Sequence, residues 1–225
     1  MGHALPLAPR RLPLPNILTA ARVVLGLCFF GLLTPGVIWD ALDEPARLLI
    51  AAGVFVVAAA TDALDGFLAR RWGQVTRFGR IMDPFADKLL VIGAFVFLAA
   101  PGFARVDAAG VAYQATGVGP WIVVIVLGRE LLVTSIRAVV EGQGADFSAT
   151  LSGKLKMVLQ CAAVPLVLVL VAFADVTPGT PARGVVLGVA WATAGVTLLS
   201  GVTYLRRAVG MIAPARAAPT GSDAR

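Results

Sequence analysis

The 225-residue sequence has few of the residues that ordinarily bind zinc or form disulfides, with two cysteines and one histidine. Cys28 and Cys161 fall within different apolar stretches, and His3 stands alone near the N-terminus. Neither spacing fits a zinc site, and two distant cysteines give no disulfide framework. The two cysteines are therefore expected to be small buried apolar residues.

Charge is also scarce, because charged residues make up 14% of the chain, against about a quarter in soluble domains, while 58% are hydrophobic. Helices of about 20 apolar residues can cross a membrane core ~30 Å thick. Suitable stretches occur at about 17–34, 47–69, 83–100, 120–140, 155–174 and 184–205. Turn-forming segments separate them, and no segment requires a strand. We predict an all-α integral membrane protein with six transmembrane helices.

Lys and Arg residues are unevenly distributed among the connections between these stretches. Twelve lie at the termini or in the second-to-third and fourth-to-fifth connections, whereas the remaining connections carry Arg47, Arg105 and Arg183. Positive charge favours the cytoplasmic side of a membrane, so both termini are predicted to be cytoplasmic. The net charge of +6 is spread over these connections and forms no basic domain, so no nucleic-acid partner is expected.

The sequence indicates one domain with two short extensions. Residues 1–14 are predicted to be a cytoplasmic leader and residues 15–210 the six-helix domain. Residues 211–225 are rich in Ala, Pro, Gly and Ser and are predicted to be a disordered tail.

One charged motif interrupts the apolar background: D-x2-D-G-x2-A-R-x8-G-x3-D-x3-D. Its residues are Asp62, Asp65, Gly66, Ala69, Arg70, Gly79, Asp83 and Asp87. A charged side chain at membrane depth costs several kcal/mol unless it is paired or bound. Four carboxylates in this setting therefore indicate a functional site.

The spacing of the four acids indicates a metal site. Asp62 and Asp65 stand three residues apart and Asp83 and Asp87 four apart, so each pair shares one face of a helix. Four neighbouring carboxylates cannot all stay ionised without cations. Oxygen ligands suit Mg²⁺, Mn²⁺ or Ca²⁺, and two ions about 4 Å apart support phosphoryl displacement. The motif therefore predicts a two-metal site that acts on a phosphate ester.

The small and basic residues of the motif allow two interpretations each. Gly66 and Ala69 leave room either for close helix packing or for a nucleotide. Arg70 suits phosphate oxygens but also fits an anchor on the cytoplasmic side. Gly79 could border a ligand or end the connection before the third helix.

All eight motif positions resemble those of the CDP-alcohol phosphatidyltransferases, integral membrane enzymes that make phospholipids. The resemblance implies a six-helix fold, a cytoplasm-facing site with two Mg²⁺ or Mn²⁺ ions, a homodimer and, for this chain, the bacterial inner membrane. It also implies that the four acids hold the metals and that Asp87 is the general base. By the same resemblance, Asp62, Gly66, Ala69, Arg70 and Gly79 border the CDP moiety.

Blocks outside the motif resemble one branch of the family, the phosphatidylglycerophosphate synthases. They are residues 15–22, 128–131 with 135–137, and 152–156 with Gln160. The resemblance implies that Asn16 and Thr19 contribute to the CDP site, with CDP-diacylglycerol as donor and glycerol 3-phosphate as acceptor. Asn16 and Thr19 also fit the N-cap and first turn of a helix.

Five cations are candidates for binding the phosphate of the acceptor: Arg22, Arg129, Arg137, Lys154 and Lys156. They lie within or beside apolar stretches, where a cation requires an anion. As an alternative, Arg129 and Glu130 compensate each other and the lysines only set topology. We predict transfer of the phosphatidyl group from CDP-diacylglycerol to glycerol 3-phosphate, which gives phosphatidylglycerophosphate and CMP.

Other functions stay open at this point. The same chemistry could use inositol phosphate as acceptor, or phosphatidylglycerol as in a cardiolipin synthase. A divalent-cation transporter would also carry carboxylates in a membrane, but transporters tend to show internal repeats and this sequence has none.

Overall fold

The structure of the protein, a computed structural model, describes residues 14–36, 42–72, 77–142 and 151–212. Side chains are described for residues 17–36, 42–62, 82, 85–140, 142 and 151–211. Six long helices form most of this part of the chain. They are α1 (Leu14–Leu33), α2 (Glu44–Trp72), α3 (Arg77–Leu98), α4 (Pro120–Gly142), α5 (Leu151–Phe173) and α6 (Pro181–Ile212).

The prediction of six helices is confirmed. At the end predicted to be cytoplasmic, each helix extends beyond the apolar stretch from which it was predicted. Glu44–Asp62, Leu151–Phe173 and Pro181–Met211 are each long and apolar enough to cross a membrane. In α1 the apolar part is shorter, Ile17–Leu33, and charged residues interrupt α3 and α4. Six membrane crossings and the orientation of the termini stay predictions. The leader and the tail lie almost wholly outside the described residues.

A short β-hairpin follows α3, after a 3-10 helix at Pro101–Phe103. Strand β1 (Ala104–Val106) pairs antiparallel with β2 (Ala112–Gln114). The Asp107 carboxylate accepts two backbone N–H groups of the turn, and Gly110 has a φ of 79° that favours glycine. The prediction that no strand is needed is therefore wrong, because turn hydrogen bonds stabilise strands too short to show alternating hydrophobicity.

Prolines and a threonine mark helix ends on the side of the hairpin. Pro120 and Pro181 are the first residues of α4 and α6, where a fixed φ suits the helix and the missing N–H is not needed. At the end of α1, the Thr34 hydroxyl donates to the Phe30 carbonyl oxygen at 2.8 Å. These residues help to fix where α1 ends and where α4 and α6 begin.

The helices pack around an apolar core that fills one half of the bundle. α1 packs on α2 and α3, α5 on α2 and α6, and α4 on α6 and α3. Phe29 and Phe55, both 0% exposed, bring their ring centroids to 5.3 Å of each other. Among the described residues, α2 touches α3 less than it touches α1, although α2 and α3 are consecutive.

Large apolar side chains also cover the outer surface. Trp121 is 75% exposed, Leu199 68% and Val24 58%. Soluble monomers rarely expose so much contiguous apolar surface, whereas a lipid environment favours it. Cys28 is exposed on this surface and Cys161 is half-buried, so the prediction that both are buried is wrong. In a membrane an apolar side chain is as stable facing lipid as facing the core.

We expect Gly93→Ala to lower the free energy of unfolding by about 1–3 kcal/mol, the usual cost of an overpacked core. A Cβ at position 93 would lie 2.3 Å from Cζ of Phe30. The Phe30 ring cannot withdraw freely because it stacks on Phe97, with centroids 4.9 Å apart. Thermal unfolding in detergent, followed by size-exclusion chromatography, measures the change.

Gly53→Ala is the matched control, because a Cβ at that position meets no heavy atom within 4 Å. Alanine also favours a helix over glycine by roughly 1 kcal/mol. Adding Phe30→Leu to Gly93→Ala should recover part of the lost stability. Equal unfolding midpoints for Gly93→Ala and Gly53→Ala would contradict the prediction.

Candidate active site

Two acids of the motif, Asp62 of α2 and Asp87 of α3, have described side chains, and both are half-buried. They lie close enough for the charge of Asp62 to act on Asp87, together with the charges of Arg22, Lys156 and Glu130. The structure thus brings together one member of each predicted acid pair. Their role as metal ligands stays a prediction.

The other motif residues lie in helices, but their side chains are outside the described residues. They are Asp65, Gly66, Ala69 and Arg70 in α2 and Gly79 and Asp83 in α3. The side chain of Asn16 is outside them as well. Among the described side chains, which include only two of the four acids, no three His, Cys, Asp or Glu residues are grouped so that they could hold a metal ion. The roles predicted for these residues stay predictions.

Arg22 of α1 forms an ion pair with Asp62. Its Nη1 lies 2.7 Å from Asp62 Oδ1, and the side chains are 0% and 27% exposed. A buried guanidinium requires an anion, because the desolvation of an isolated ion costs several kcal/mol. Thr19, one turn earlier on the same face of α1, is also buried. This contact indicates that Arg22 compensates the Asp62 carboxylate, and its predicted binding of the acceptor stays a prediction.

A cavity of about 480 Å³ opens beside Asp87 and takes its walls from α3, α4, α5 and α6. Its charged lining residues are Asp87, Lys88, Arg129, Glu130, Arg137, Lys154 and Lys156. Among the described side chains of the lining, five cations therefore face two carboxylates, so this part of the wall is positive. Four of the five cations predicted to bind the acceptor phosphate lie together here, and Arg22 is the exception.

Glu130 joins two of these cations within the wall of the cavity. Its Oε1 accepts hydrogen bonds from Lys156 Nζ and, at 3.1 Å, from Arg129 Nη1. None of the three side chains is more than 12% exposed. The interpretation that Arg129 and Glu130 compensate each other fits this geometry. By contrast, Lys154 is exposed and Arg137 is half-buried in the same cavity.

The last helix, α6, supplies a row of buried polar side chains that sequence reasoning missed. Thr193, Thr197 and Ser200 are 0% exposed and Tyr204 is 2% exposed. Their spacing of three or four residues puts them on one face of α6. Ser200 Oγ accepts a hydrogen bond from Arg129 Nη2 at 2.7 Å, and the guanidinium lies 5.2 Å from the Tyr204 ring centroid. This helical spacing in an apolar helix is the signal that could have revealed them.

Two further cavity residues, Lys88 and Thr134, were not singled out from the sequence. Lys88 Nζ donates to Thr134 Oγ1 at 2.5 Å, and the Thr134 hydroxyl donates to the Glu130 carbonyl oxygen at 2.7 Å. Lys88 directly follows Asp87, so its position beside the motif could have indicated it.

The chain is similar in sequence to known proteins of one family. The family model described as CDP-alcohol phosphatidyltransferase matches residues 12–199. A Bacillus subtilis (strain 168) protein named "CDP-diacylglycerol--glycerol-3-phosphate 3-phosphatidyltransferase" is 36% identical over 160 residues, 69% of this chain and 76% of its own. A Mycobacterium tuberculosis (strain CDC 1551 / Oshkosh) protein named "Probable phosphatidylglycerophosphate synthase" is 33% identical over 196 residues, 87% of this chain and 81% of its own.

A Yersinia pestis (strain Pestoides F) protein carries the same name as the Bacillus protein. It is 35% identical over 155 residues, which cover 67% of this chain and 73% of its own. The segment matched by the family model contains both described acids and every charged residue of the cavity. The chain therefore belongs to the CDP-alcohol phosphatidyltransferase family and is an enzyme.

Proposed function

We propose that this enzyme transfers the phosphatidyl group of CDP-diacylglycerol to sn-glycerol 3-phosphate, giving phosphatidylglycerophosphate and CMP. The observation that carries the proposal is the cavity beside Asp87, whose described lining sets five cations against two carboxylates. A phosphorylated acceptor supplies the anion that such a cavity favours. The names of the Bacillus and Yersinia proteins support this donor and acceptor.

The donor is proposed to bind at the ends of α2 and α3. Asp62, Asp65, Asp83 and Asp87 would hold two Mg²⁺ or Mn²⁺ ions, since carboxylate oxygens suit these hard cations. Asp62 and Asp87 are half-buried carboxylates close enough for their charges to interact, which fits a site for such cations. When bound, these ions neutralise the diphosphate of the donor. Arg22 of α1 compensates the charge of the Asp62 carboxylate.

Asp87 is proposed to act as the general base. It accepts the proton of the 1-hydroxyl of glycerol 3-phosphate while that oxygen forms a bond to the phosphorus of the phosphatidyl group. The bond from this phosphorus to the CMP oxygen breaks, and CMP leaves. Asp87 lines the acceptor cavity and lies near Asp62, so it stands between the two proposed substrates.

The phosphate of the acceptor is proposed to contact Arg137 and Lys154 first. Lys154 is exposed and Arg137 half-buried, so both can meet an anion that enters from water. Arg129 and Lys156 share Glu130 and contribute positive potential from the wall. Catalysis then rests on positioning and charge neutralisation.

We also propose that all six helices cross the bacterial inner membrane, with both termini and the active site on the cytoplasmic side. Arg22 and Asp87 lie in the first halves of α1 and α3, whereas Asp62 and Arg137 lie in the second halves of α2 and α4. Alternating helix directions would therefore bring all of them to the same half of the bundle. The homodimer implied by the family resemblance stays an expectation.

Asp87→Asn should lower kcat for CMP release by at least about 100-fold, because it removes the base and keeps the shape of the side chain. In the wild type, EDTA should abolish CMP release and added Mg²⁺ or Mn²⁺ should restore it. Asp43→Asn is the control, since Asp43 is exposed just before the start of α2. Wild-type turnover in folded Asp87→Asn, or with EDTA present, would contradict the mechanism.

Arg137→Gln and Lys154→Gln should each raise KM for glycerol 3-phosphate by about 10-fold or more, because each removes a charged hydrogen-bond donor. The KM for CDP-diacylglycerol should change little. Arg105→Gln is the matched control, since Arg105 pairs with Glu44 beside the hairpin. Faster transfer to inositol phosphate or phosphatidylglycerol in the same assay would show that the proposed acceptor is wrong.

The orientation of the helices can be tested with single cysteines in a chain that lacks Cys28 and Cys161. Val106→Cys, at a hairpin position that is 67% exposed, should react with a membrane-impermeant maleimide in intact cells. Arg206→Cys, at an exposed position near the other end of the bundle, should react only after permeabilisation. The reverse pattern would contradict the cytoplasmic position of the termini.

A further inference from the structure

Gln160 of α5 is a buried amide in the wall of the acceptor cavity. It is 1% exposed, and its Nε2 donates to Thr197 Oγ1 of α6 at 3.1 Å. Its Oε1 is buried and receives no hydrogen bond from any group in the described part of the chain. A buried acceptor without a donor is unfavourable, so this oxygen is poised to gain from a ligand that donates to it.

The position of Gln160 relates it to the reacting groups. Lys156 and Gln160 are four residues apart on α5 and share a face of the helix. The charge of Lys156 acts on Asp87, and Cys161, next to Gln160, lies within range of the charges of Asp87 and Asp62. Gln160 is one turn further from the start of α5 than Lys156, so it lies further from the charged end of the bundle than that cation.

Thr197 determines which end of the amide is available. Thr197 is 0% exposed and belongs to the polar row of α6, so it cannot move away from Gln160 without disturbing the packing of α5 on α6. Because the Gln160 nitrogen is used by Thr197, the oxygen is the group left for a ligand.

We propose that Gln160 is a specificity-determining residue that accepts a hydrogen bond from the non-reacting hydroxyl of the acceptor. This inference rests on the proposed function. Glycerol 3-phosphate has three polar groups, and the cavity has three matching features: cations for the phosphate, Asp87 for the reacting hydroxyl, and the Gln160 oxygen for the 2-hydroxyl. An acceptor without that hydroxyl would leave the oxygen buried and unmatched, which is how a polar site rejects a deoxy analogue.

The test compares glycerol 3-phosphate with 3-hydroxypropyl phosphate, which keeps the phosphate and the terminal hydroxyl and lacks the 2-hydroxyl. In the wild type, kcat/KM should be about 10-fold or more higher for glycerol 3-phosphate. Gln160→Leu should reduce kcat/KM for glycerol 3-phosphate by a similar factor and leave that for the analogue nearly unchanged. The ratio of the two values therefore falls toward one.

Thr193→Val is the matched control, because Thr193 is buried in the same row of α6, does not line the cavity, and donates to its own helix at the Val189 carbonyl oxygen. It should keep the wild-type ratio. A changed ratio in Thr193→Val, or an equal loss on both acceptors in Gln160→Leu, would show a packing effect and overturn the proposal.

The wild-type measurement can overturn the proposal even if Gln160→Leu does not fold. Equal kcat/KM for both acceptors in the wild type overturns the role of Gln160 and leaves the proposed function intact. Absence of transfer to either acceptor, with active donor and metal present, overturns the proposed function and this inference together.

Discussion

The cost of placing a charge inside an apolar bundle governs this structure. Each deeply buried cation described above has a carboxylate from another position in the fold, as Arg22 has Asp62 and Lys156 has Glu130. The pairs cross between helices, α1 with α2 and α4 with α5, and Arg129 adds a link to α6 through Ser200. The contacts that prepare the site for charged substrates are thus contacts that hold the helices together.

The sequence predicts the six helices because their apolar stretches are long, and it predicts the acids because charge is rare in such stretches. It underestimates how far the helices extend, since charged residues break the apolar pattern without ending the helix. The pairing of Glu130 with Lys156 joins two helices, and local spacing cannot reveal such a contact. Thr197 and Ser200 escape notice because single hydroxyl residues in an apolar helix are also typical of close packing.

The two halves of the chain contribute different parts of the proposed reaction. The motif on α2 and α3 is proposed to bind the donor. The cavity proposed for the acceptor draws most of its described lining from α4, α5 and α6. Choice of acceptor can therefore vary among such enzymes through residues outside the motif, which is why the motif alone leaves several acceptors open.

The Phe30 ring seated over Gly93 also has a consequence for the charged end of the bundle. The ring and the glycine define the axial register of α1 against α3. Arg22 lies roughly two turns from Phe30 on the same helix. A slip of α1 by one residue would shift Arg22 by about 1.5 Å and rotate it by about 100°, away from Asp62. The packing of Phe30 against Gly93 thus aligns the ion pair between Arg22 and Asp62, roughly two turns away.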